Sequence, residues 1–157
     1  MEDVALMKGS YILLLELNES QQISVGRLGG THFIKGFYTY VGSSLNGLES
    51  RVARHLRQSR KRHWHIDYLL DRAIVFGVIL IPGEQRLECI LAQALGQRLL
   101  CIRRFGSSDC RCPGHLFFTA NKSELEAQVV KTLADLGFTY YRHPVPAPRL
   151  PLLLPEN

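Results

Sequence analysis

Short apolar runs, separated by polar and glycine-rich turns, dominate the first third of the chain. Gly9 to Leu17 reads GSYILLLEL, and its β-favouring composition predicts a first strand. Ile23 to Val25 and Phe33 to Val41 are further strand candidates, joined through glycines that tolerate the positive φ of tight turns. The pattern therefore predicts an antiparallel meander at the start of the fold.

Apolar residues then recur at spacings of three and four, which is typical of amphipathic helices. This spacing predicts one helix from Leu48 to about Gln58 and a second helix from Gln85 to Leu100. Between the two helices, Ala73 to Ile81 reads AIVFGVILI and shows no polar alternation. Such a run predicts a central strand that is covered on both faces.

The last part of the chain combines a helix with a proline-rich tail. Ser123 and Glu126 fit a capping box, so a third helix is predicted to begin there and to end at Gly137. From Pro144 onward five of fourteen residues are proline, too many for a helix or a strand. We therefore expect one domain over residues 1–143 and an extended tail over residues 144–157.

Length and composition favour a single folded domain. The chain has 157 residues, of which 46% are apolar and 21% charged, values typical of a globular protein with a buried core. No apolar run approaches the ~20 residues needed to cross a bilayer, and the first residues do not form a signal peptide. We therefore expect a cytoplasmic protein without a membrane partner.

Positive charge is concentrated in one segment. The net charge is +5, and Arg51 to Arg62 contains six basic residues and no acidic residue. This excess favours a polyanionic partner, because Lys and Arg neutralise phosphate groups. The residues expected to contact nucleic acid are Arg54, Arg57, Arg60, Lys61, Arg62, His63 and His65. For His63 and His65, which alternate on a segment expected to be extended, packing beside Trp64 is the alternative.

Four places along the chain combine into a candidate catalytic set. Gly9-Ser10-Tyr11 opens the first strand and Tyr40-Val41-Gly42 closes a later one, which supplies two phenols. Arg51 and His55 are four residues apart and therefore share a helix face. Glu88 lies early in the second helix, where a carboxylate that points into a cleft can hold a divalent cation. Together these groups suit a nuclease.

In this order the residues resemble the GIY-YIG nuclease superfamily, and more closely its Uri-type branch, over roughly residues 9 to 119. The resemblance is carried by GFYTYVGSS (Gly36 to Ser44), RVARHLR (Arg51 to Arg57), HWHIDYLL (His63 to Leu70), Glu88-Cys89 and FGSSDCRCPGHLFF (Phe105 to Phe118). Two features depart from the family pattern: Ser10 replaces an isoleucine, and some thirty residues separate Tyr11 from Tyr40. We expect this gap to fold out as extra strand and loop over Ile23 to Ile34, so that the two tyrosines meet.

The resemblance implies an α/β (α+β) fold with a small mixed, mainly antiparallel sheet flanked by helices. It also implies a metal-dependent endonuclease that hydrolyses phosphodiester bonds, with DNA favoured over RNA. Tyr11 would accept a proton from the attacking water, Tyr40 would orient water or phosphate, and His55 would assist proton transfer or bind phosphate. Arg51 would stabilise transition-state charge, and Glu88 would hold one Mg²⁺ or Mn²⁺ ion. Because 157 residues leave no room for a separate recognition domain, we expect repair or processing rather than sequence-specific restriction.

The four cysteines are expected to be thiols or metal ligands, since cytoplasmic proteins rarely contain disulfides. Cys110, Cys112 and His115 form C-x-C-x2-H, close enough for three ligands of one ion, and Cys89 or Cys101 is a candidate for the fourth. The two C-x2-C knuckles of a standard zinc finger are absent. We therefore expect a structural turn with packed thiols, and a zinc site is the alternative.

Two other classes of function fit parts of the sequence. A catalytically silent nucleic-acid-binding module would keep the fold and the basic helix, but we would expect it to have lost Glu88 or Arg51, and both are present. A protein-interaction domain led by the proline-rich tail rests on composition alone. The endonuclease is therefore the leading hypothesis.

Overall fold

The computed structural model describes residues 7–57 and 61–146, in which a six-stranded sheet carries helices on both faces. The strands are β1 (Gly9–Leu17), β2 (Gln21–Val25), β3 (Gly29–Phe33), β4 (Gly36–Ser44), β5 (Ile74–Pro82), β6 (Leu100–Ile102), β7 (Leu116–Thr119) and β8 (Tyr141–His143). The helices are α1 (Leu48–Leu56), α2 (His65–Leu70), α3 (Glu88–Gly96) and α4 (Lys122–Leu136). A short 3-10 turn over Gly26–Leu28 joins β2 to β3.

Strands of the main sheet follow the order β6-β7-β4-β1-β5-β8. Each neighbouring pair is antiparallel, so the expected α+β class with a mainly antiparallel sheet is confirmed, and no parallel pair occurs among the described residues. The long strands β1 and β4 form the centre. The strand predicted over Ala73 to Ile81 is present as β5, but it lies one strand from the edge, where short β8 pairs with it.

The central strand β1 divides the core into two layers. Tyr11, Leu13 and Leu15 pack on the face that α1 and α2 cover. Ile12 and Leu14 pack on the opposite face, against α3 and α4. Because side chains alternate along a strand, a strand that is apolar throughout has both faces buried. This accounts for the unbroken apolar run of β1 in the sequence.

Between β1 and β4 the chain forms a separate two-stranded hairpin of β2 and β3. The expectation that the long gap between the tyrosines folds out as extra strand is therefore confirmed. The single strand predicted from Phe33 to Val41 is divided, since β3 ends at Phe33 and β4 begins at Gly36 with φ 153°. A Cβ at Gly36 would fall 2.5 Å from the Phe118 ring, so a glycine is needed at this break.

Helices α1, α2 and α3 differ from the sequence pattern. The helix predicted over Gln85 to Leu100 is shorter, because α3 begins at Glu88 and the chain turns into edge strand β6 at Leu100. The pattern does not predict α2, since six residues are too few for helical periodicity to show. Helix α1 begins at Leu48 as predicted and ends two residues early, at Leu56.

Helix α4 is capped differently from the prediction. Asn121 is its N-cap residue, and the Asn121 side chain accepts a hydrogen bond from the Glu124 N–H at 3.1 Å. The predicted capping box at Ser123 is therefore wrong, because the chain is already helical at that position. The predicted end is correct: Gly137 adopts the left-handed conformation that closes helices.

Strand β8 ends at His143, where the domain was predicted to end. Residues 144–146 continue without regular structure, and Val145 packs against the core layer of α1 and α2. The remainder of the predicted tail, residues 147–157, lies outside the described residues. Over the two ranges that the structure describes, no helix has the length and apolar character needed to span a membrane.

Candidate active site and cysteine cluster

The central strands bring the two predicted tyrosines together. In the antiparallel register Leu13 lies opposite Tyr40, and Tyr11 lies opposite Gly42. Both tyrosines therefore lie on the same face of the sheet. Their ring centroids are 6.4 Å apart and both rings are buried.

Helix α1 places an imidazole against the first of these phenols. The Tyr11 hydroxyl is hydrogen-bonded to Nε2 of His55 at 2.7 Å, and the two ring centroids are 5.2 Å apart. Burial raises the pKa of Tyr11 well above its ordinary value, an effect that nearby Arg51 partly offsets. Tyr11 is therefore a neutral phenol at physiological pH, and its proton can pass directly to an imidazole nitrogen.

An open cavity of about 360 Å³ lies beside the two tyrosines, and we call it the tyrosine cavity. Four predicted residues line its wall: Tyr11, Tyr40, Arg51 and Glu88. His55, the fifth, is 1% exposed and lies behind Tyr11, so it reaches the cavity through the phenol. The fold thus gathers the predicted catalytic and metal-binding residues around one space.

Glu88 is the first residue of α3, and β1 fixes the start of that helix. The Ser10 hydroxyl accepts a hydrogen bond from the Leu87 N–H at 3.3 Å. Ser10 is the residue that departs from the isoleucine of the resembling motif. In this chain its hydroxyl ties the carboxylate-bearing helix to the strand that carries Tyr11.

Four polar residues of the tyrosine cavity are absent from the predicted set: Ser43, Asn46, Arg86 and Asp109. Arg86 adds a second guanidinium to the cavity, and Asp109 adds a second carboxylate. Asp109 belongs to the long segment between β6 and β7, which has no periodic pattern. The sequence feature that could have pointed to Asp109 is the stretch FGSSDCRCPGHLFF, which resembles the family and contains this residue.

Trp64 orders two arginines at the edge of this cavity. The guanidinium carbons of Arg51 and Arg54 lie 4.2 and 4.4 Å from the centroid of the Trp64 ring. Arg51 also donates a hydrogen bond to the Ser43 carbonyl at 3.3 Å. Cation–π contacts of this kind hold the planar group in a fixed orientation. Arg51 is therefore presented to the cavity in an ordered position.

Arg54 forms a bidentate ion pair with buried Asp67. Its two terminal nitrogens donate to the two carboxylate oxygens at 2.9 and 3.0 Å. Asp67 also accepts hydrogen bonds from the backbone N–H groups of His63 and Trp64, each at 2.8 Å. Burial acts to raise the pKa of Asp67, but these hydrogen bonds hold it below its ordinary value. A nucleic-acid contact of Arg54 stays a prediction, and in this structure its guanidinium joins α1 to α2.

The other basic residues predicted to bind nucleic acid follow α1. Those on the surface are Arg57, Lys61, Arg62 and His63. Arg60 lies outside the described residues. Arg62 is paired with Asp71 at 2.8 Å, and because this ion pair is exposed to solvent, a phosphate can displace it. The His63 ring packs edge-on against Trp64, with ring centroids 4.8 Å apart, and a phosphate contact of His63 stays a prediction.

His65 does not lie on an extended segment with His63, as the sequence predicted, because it begins α2. Its Nδ1 accepts a hydrogen bond from the Gly106 N–H at 2.9 Å, and its ring packs against Phe105. Burial lowers the pKa of His65, which favours the neutral ring that can accept this bond. His65 therefore holds the start of the segment between β6 and β7.

A larger cavity of about 790 Å³ shares this segment with the tyrosine cavity. Its wall includes Arg27, Arg103 and Arg104, together with Ser107 and Ser108. No acidic residue among the described residues lines it. Since Ser107 and Ser108 directly follow Gly106 of the tyrosine cavity, a strongly cationic surface lies next to the candidate active site.

Three thiols and one imidazole form a compact group, which we call the cysteine cluster: Cys89, Cys110, Cys112 and His115. Their ligand atoms all lie within 4.8 Å of one another, and Cys110 Sγ is 3.4 Å from Nε2 of His115. Of the two candidates for the fourth ligand, Cys89 belongs to the cluster and Cys101 does not. The cluster is able to hold a metal ion, and its sulfur and nitrogen donors suit zinc better than Mg²⁺.

The protonation of this cluster follows from its burial. Burial raises the pKa of Cys112 to about 12, and the neighbouring thiols of Cys89 and Cys110 act in the same direction. Burial also lowers the pKa of His115, so its ring is neutral and offers a nitrogen lone pair. Crowded thiols of this kind become thiolates when a cation compensates their charge.

Comparison with protein families identifies one match that spans most of the fold. A family model described as "Domain of unknown function DUF123" matches residues 10–138. Comparison with curated proteins and with solved structures gave no match. The matched residues include Tyr11 at one end, the cysteine cluster, and α4 at the other end. Because the match covers well over half of the 157 residues, this chain belongs to the DUF123 domain family.

Proposed function

We propose that this protein is a metal-dependent endonuclease of the GIY-YIG type, Uri-type branch, which hydrolyses phosphodiester bonds of DNA in repair or processing. One observation carries the proposal. Two phenols, a guanidinium and a carboxylate that lie far apart in the sequence line one cavity, with a hydrogen-bonded imidazole directly behind the first phenol. These groups can supply the general base, the positive charge and the metal ligand that phosphodiester hydrolysis uses.

Tyr11 and His55 together activate the attacking water. A phenol whose pKa is raised by burial is rarely ionised, so Tyr11 is a poor base by itself. The hydrogen bond to His55 removes this difficulty, since Tyr11 can accept a proton from water while it passes its own proton to Nε2. The electron pair of the O–H bond in water then forms the bond to phosphorus. The bond to the leaving oxygen breaks, and that oxygen departs with the bonding electron pair and takes up a proton from solvent. Tyr40, on the same cavity wall, orients the water or the phosphate.

Arg51 stabilises the negative charge that develops on the phosphoryl oxygens in the transition state. Its positively charged guanidinium can donate two parallel hydrogen bonds to one phosphate. The contacts with Trp64 and the Ser43 carbonyl order this group before substrate arrives. Ordered donors aimed at developing charge stabilise a transition state without further reorganisation. Arg86, on the same wall, can donate to an adjacent phosphate oxygen.

The donor set of the tyrosine cavity fits a hard divalent cation. Mg²⁺ and Mn²⁺ are commonly bound through one or two carboxylates, with water and substrate phosphate completing the shell. Glu88 and Asp109 line the cavity and would hold such an ion. When bound, the ion supplies Lewis-acid stabilisation of the phosphoryl and leaving oxygens, worth several kcal/mol.

The cationic surface beside the cavity favours a nucleic-acid substrate. Arg27, Arg103 and Arg104 are positioned to neutralise phosphates that flank the scissile one. Phosphate contacts position a strand without reading its sequence. This arrangement suits an enzyme that selects the structure of its substrate, as a repair or processing nuclease does.

Replacement of Glu88 tests the proposal most directly. We expect Glu88→Gln to bind DNA within a few-fold of wild type, because the arginines hold the phosphates. Its cleavage rate in Mg²⁺ or Mn²⁺ should fall by at least about 100-fold, since several kcal/mol of stabilisation is lost. The measurement is single-turnover cleavage of duplex, single-stranded, flap and branched DNA, with binding measured in parallel.

Glu84→Gln is the matched control, because Glu84 is an exposed glutamate four residues earlier and does not line the cavity. It should cleave like wild type. Equal rates for wild type and Glu88→Gln would contradict the assignment of Glu88. If the wild-type protein binds DNA with steep salt dependence but cleaves none of the substrates, the catalytically silent binding module becomes the better description.

A further inference from the structure

We infer that the cysteine cluster is a closed structural zinc site, in which Cys89, Cys110, Cys112 and His115 are the four ligands. One ion would cross-link the first turn of α3 to the segment between β6 and β7. All four positions of a tetrahedral zinc ion would be filled by protein, which is typical of structural sites rather than catalytic ones.

The geometry of the cluster is close to that of a bound ion. With Zn–S near 2.3 Å and Zn–N near 2.0 Å, tetrahedral coordination places two sulfurs about 3.8 Å apart and a sulfur and a nitrogen about 3.5 Å apart. The distance from Cys110 Sγ to Nε2 of His115 is 3.4 Å, and the ligand atoms are all within 4.8 Å of one another. Small side-chain rotations are enough to complete the tetrahedron.

The origin of the ligands explains what the ion would stabilise. Three of them come from the thirteen residues between β6 and β7, which contain no helix or strand. Within this segment two backbone hydrogen bonds hold the ends together: Arg104 N–H to the Pro113 carbonyl, and His115 N–H to the Phe105 carbonyl. Long segments without regular structure are costly to order, and a metal cross-link offsets that cost.

The same segment forms part of the tyrosine cavity. Asp109 immediately precedes Cys110, and Glu88 immediately precedes Cys89, so each carboxylate of the cavity is the chain neighbour of a zinc ligand. The zinc ion would therefore fix the two carboxylates relative to each other. This last consequence rests on the proposed nuclease function, whereas the zinc site itself does not.

Two other states of the cluster make different predictions. Thiols that only pack in a turn would leave the protein free of stoichiometric metal. A disulfide within the cluster would lower the mass by two hydrogens and remove two titratable thiols. Zinc coordination keeps all four cysteines reduced and protects three of them from thiol reagents until a chelator is added.

Metal content and cobalt binding distinguish these states. We expect protein purified without chelator to contain about one equivalent of zinc per chain. After removal of the zinc, Co²⁺ should bind with the intense visible absorption of a tetrahedral thiolate site. Cys112→Ser should weaken Co²⁺ binding by at least about 100-fold, because one of the three thiolate ligands is lost. Less than a tenth of an equivalent of zinc, or an intact disulfide by mass spectrometry, would overturn the inference.

Cys101→Ser is the matched control, because Cys101 is a partly buried thiol of β6 that lies outside the cluster. It should retain full zinc and the cobalt spectrum. Equal loss of metal in Cys101→Ser and Cys112→Ser would contradict the ligand assignment. If Cys112→Ser does not fold, the zinc content and chelator sensitivity of the wild-type protein still decide the question.

Protection from trypsin gives a readout that does not depend on catalysis. The segment carries Arg103, Arg104 and Arg111, the last between two proposed ligands. We expect chelation to increase cleavage after these residues by at least about tenfold, since local opening exposes them. Unchanged cleavage would refute the cross-link. Zinc binding without nuclease activity would leave this inference standing, and nuclease activity in zinc-free protein would leave the proposed function standing.

Discussion

Tyr11 lies directly over Gly42, its cross-strand partner in the central pair of strands. A Cβ at position 42 would fall 2.4 Å from the Tyr11 phenolic oxygen and 2.5 Å from Cζ of the ring. No side chain fits in that space unless the tyrosine moves. Gly42 therefore leaves the space that the Tyr11 ring needs in order to place its hydroxyl against His55.

Gly42→Ala should therefore displace the Tyr11 ring. We expect this overpacking to lower the free energy of unfolding by about 1–3 kcal/mol. The cleavage rate should fall by at least about tenfold, because the phenol no longer meets His55. DNA binding should change little. Chemical denaturation, single-turnover cleavage and DNA-binding measurements on one preparation check the three effects together.

Gly83→Ala is the control for this substitution, since a Cβ at Gly83 meets no atom within 4 Å. It should match wild type in both stability and rate. If Gly42→Ala cleaves at the wild-type rate, the position of Tyr11 does not matter for catalysis.

Much of the tyrosine cavity is predictable from the sequence because it is built on long regular elements. Tyr11 and Tyr40 lie on strands with clear apolar patterns, and Arg51 and His55 share a helix face through their spacing. Local periodicity fixes the direction of each side chain, so two strands and one helix are enough to bring them together. The family resemblance supplied Glu88, which periodicity alone does not single out.

The remainder of the site depends on contacts that have no local pattern. Asp109 and the ligands Cys110 and Cys112 lie in an irregular segment, where the sequence carries no signal of direction. Asp67 lies in a six-residue helix that the sequence pattern does not predict. Its ion pair with Arg54 is a contact between two helices, so it can be identified only in the structure. The expectation of a structural turn with packed thiols also depended on spacing alone, and spacing could not show that Cys89 arrives from α3.

The Tyr11 to His55 hydrogen bond predicts that the two residues act as one unit. Tyr11→Phe keeps the packed ring and removes the hydroxyl, so stability should change by no more than about 1–2 kcal/mol. His55→Gln keeps a polar side chain at the buried position. We expect each variant to lose at least about 100-fold in cleavage rate, the usual scale of general acid–base catalysis.

The double variant should be little slower than either single variant, because one proton path is broken in all three. Single-turnover rates in saturating Mg²⁺ provide the comparison. Independent, multiplicative losses would show that Tyr11 and His55 do not share a proton, and the relay would have to be abandoned.

The ion pair of Asp67 predicts a contribution to stability that disappears in acid. The folded protein holds the pKa of Asp67 below its ordinary value, near 3.9 in model peptides. The unfolded chain therefore binds the proton more readily, and stability decreases as the pH falls from above that value through the lower folded pKa. At neutral pH we expect Asp67→Asn to lose about 1–3 kcal/mol, since hydrogen bonds to a charged group are removed.

The stability difference between wild type and Asp67→Asn should narrow as the pH falls below about 4, the ordinary range of the group. Urea denaturation at several pH values, with both proteins treated with chelator, isolates this effect from the cysteine cluster. A difference that stays constant down to pH 2 would mean that the charge of Asp67 is not what joins α1 to α2.

The cationic surface beside the tyrosine cavity predicts how DNA binding responds to salt. If its arginines and the basic residues after α1 neutralise about four phosphates, log K should fall with log[salt] at a slope of about −3 to −4. Arg103→Glu should weaken binding to all sequences alike and make the slope less steep by about one. We choose Arg103 for this substitution because Arg104 has a positive φ of 69°, so that replacing Arg104 could also disturb the local backbone.

Arg142→Glu is the matched control, because it changes the net charge equally but lies on β8, at the opposite edge of the sheet from β6. It should leave the slope unchanged and the affinity within about twofold, since separations beyond the ~8–10 Å Debye length are screened in physiological salt. A slope insensitive to Arg103→Glu, or equally sensitive to both substitutions, would mean that DNA senses the net charge and not this surface. Because the surface shares its segment with Asp109 of the cavity, a selective effect of Arg103 also indicates the side from which the strand enters.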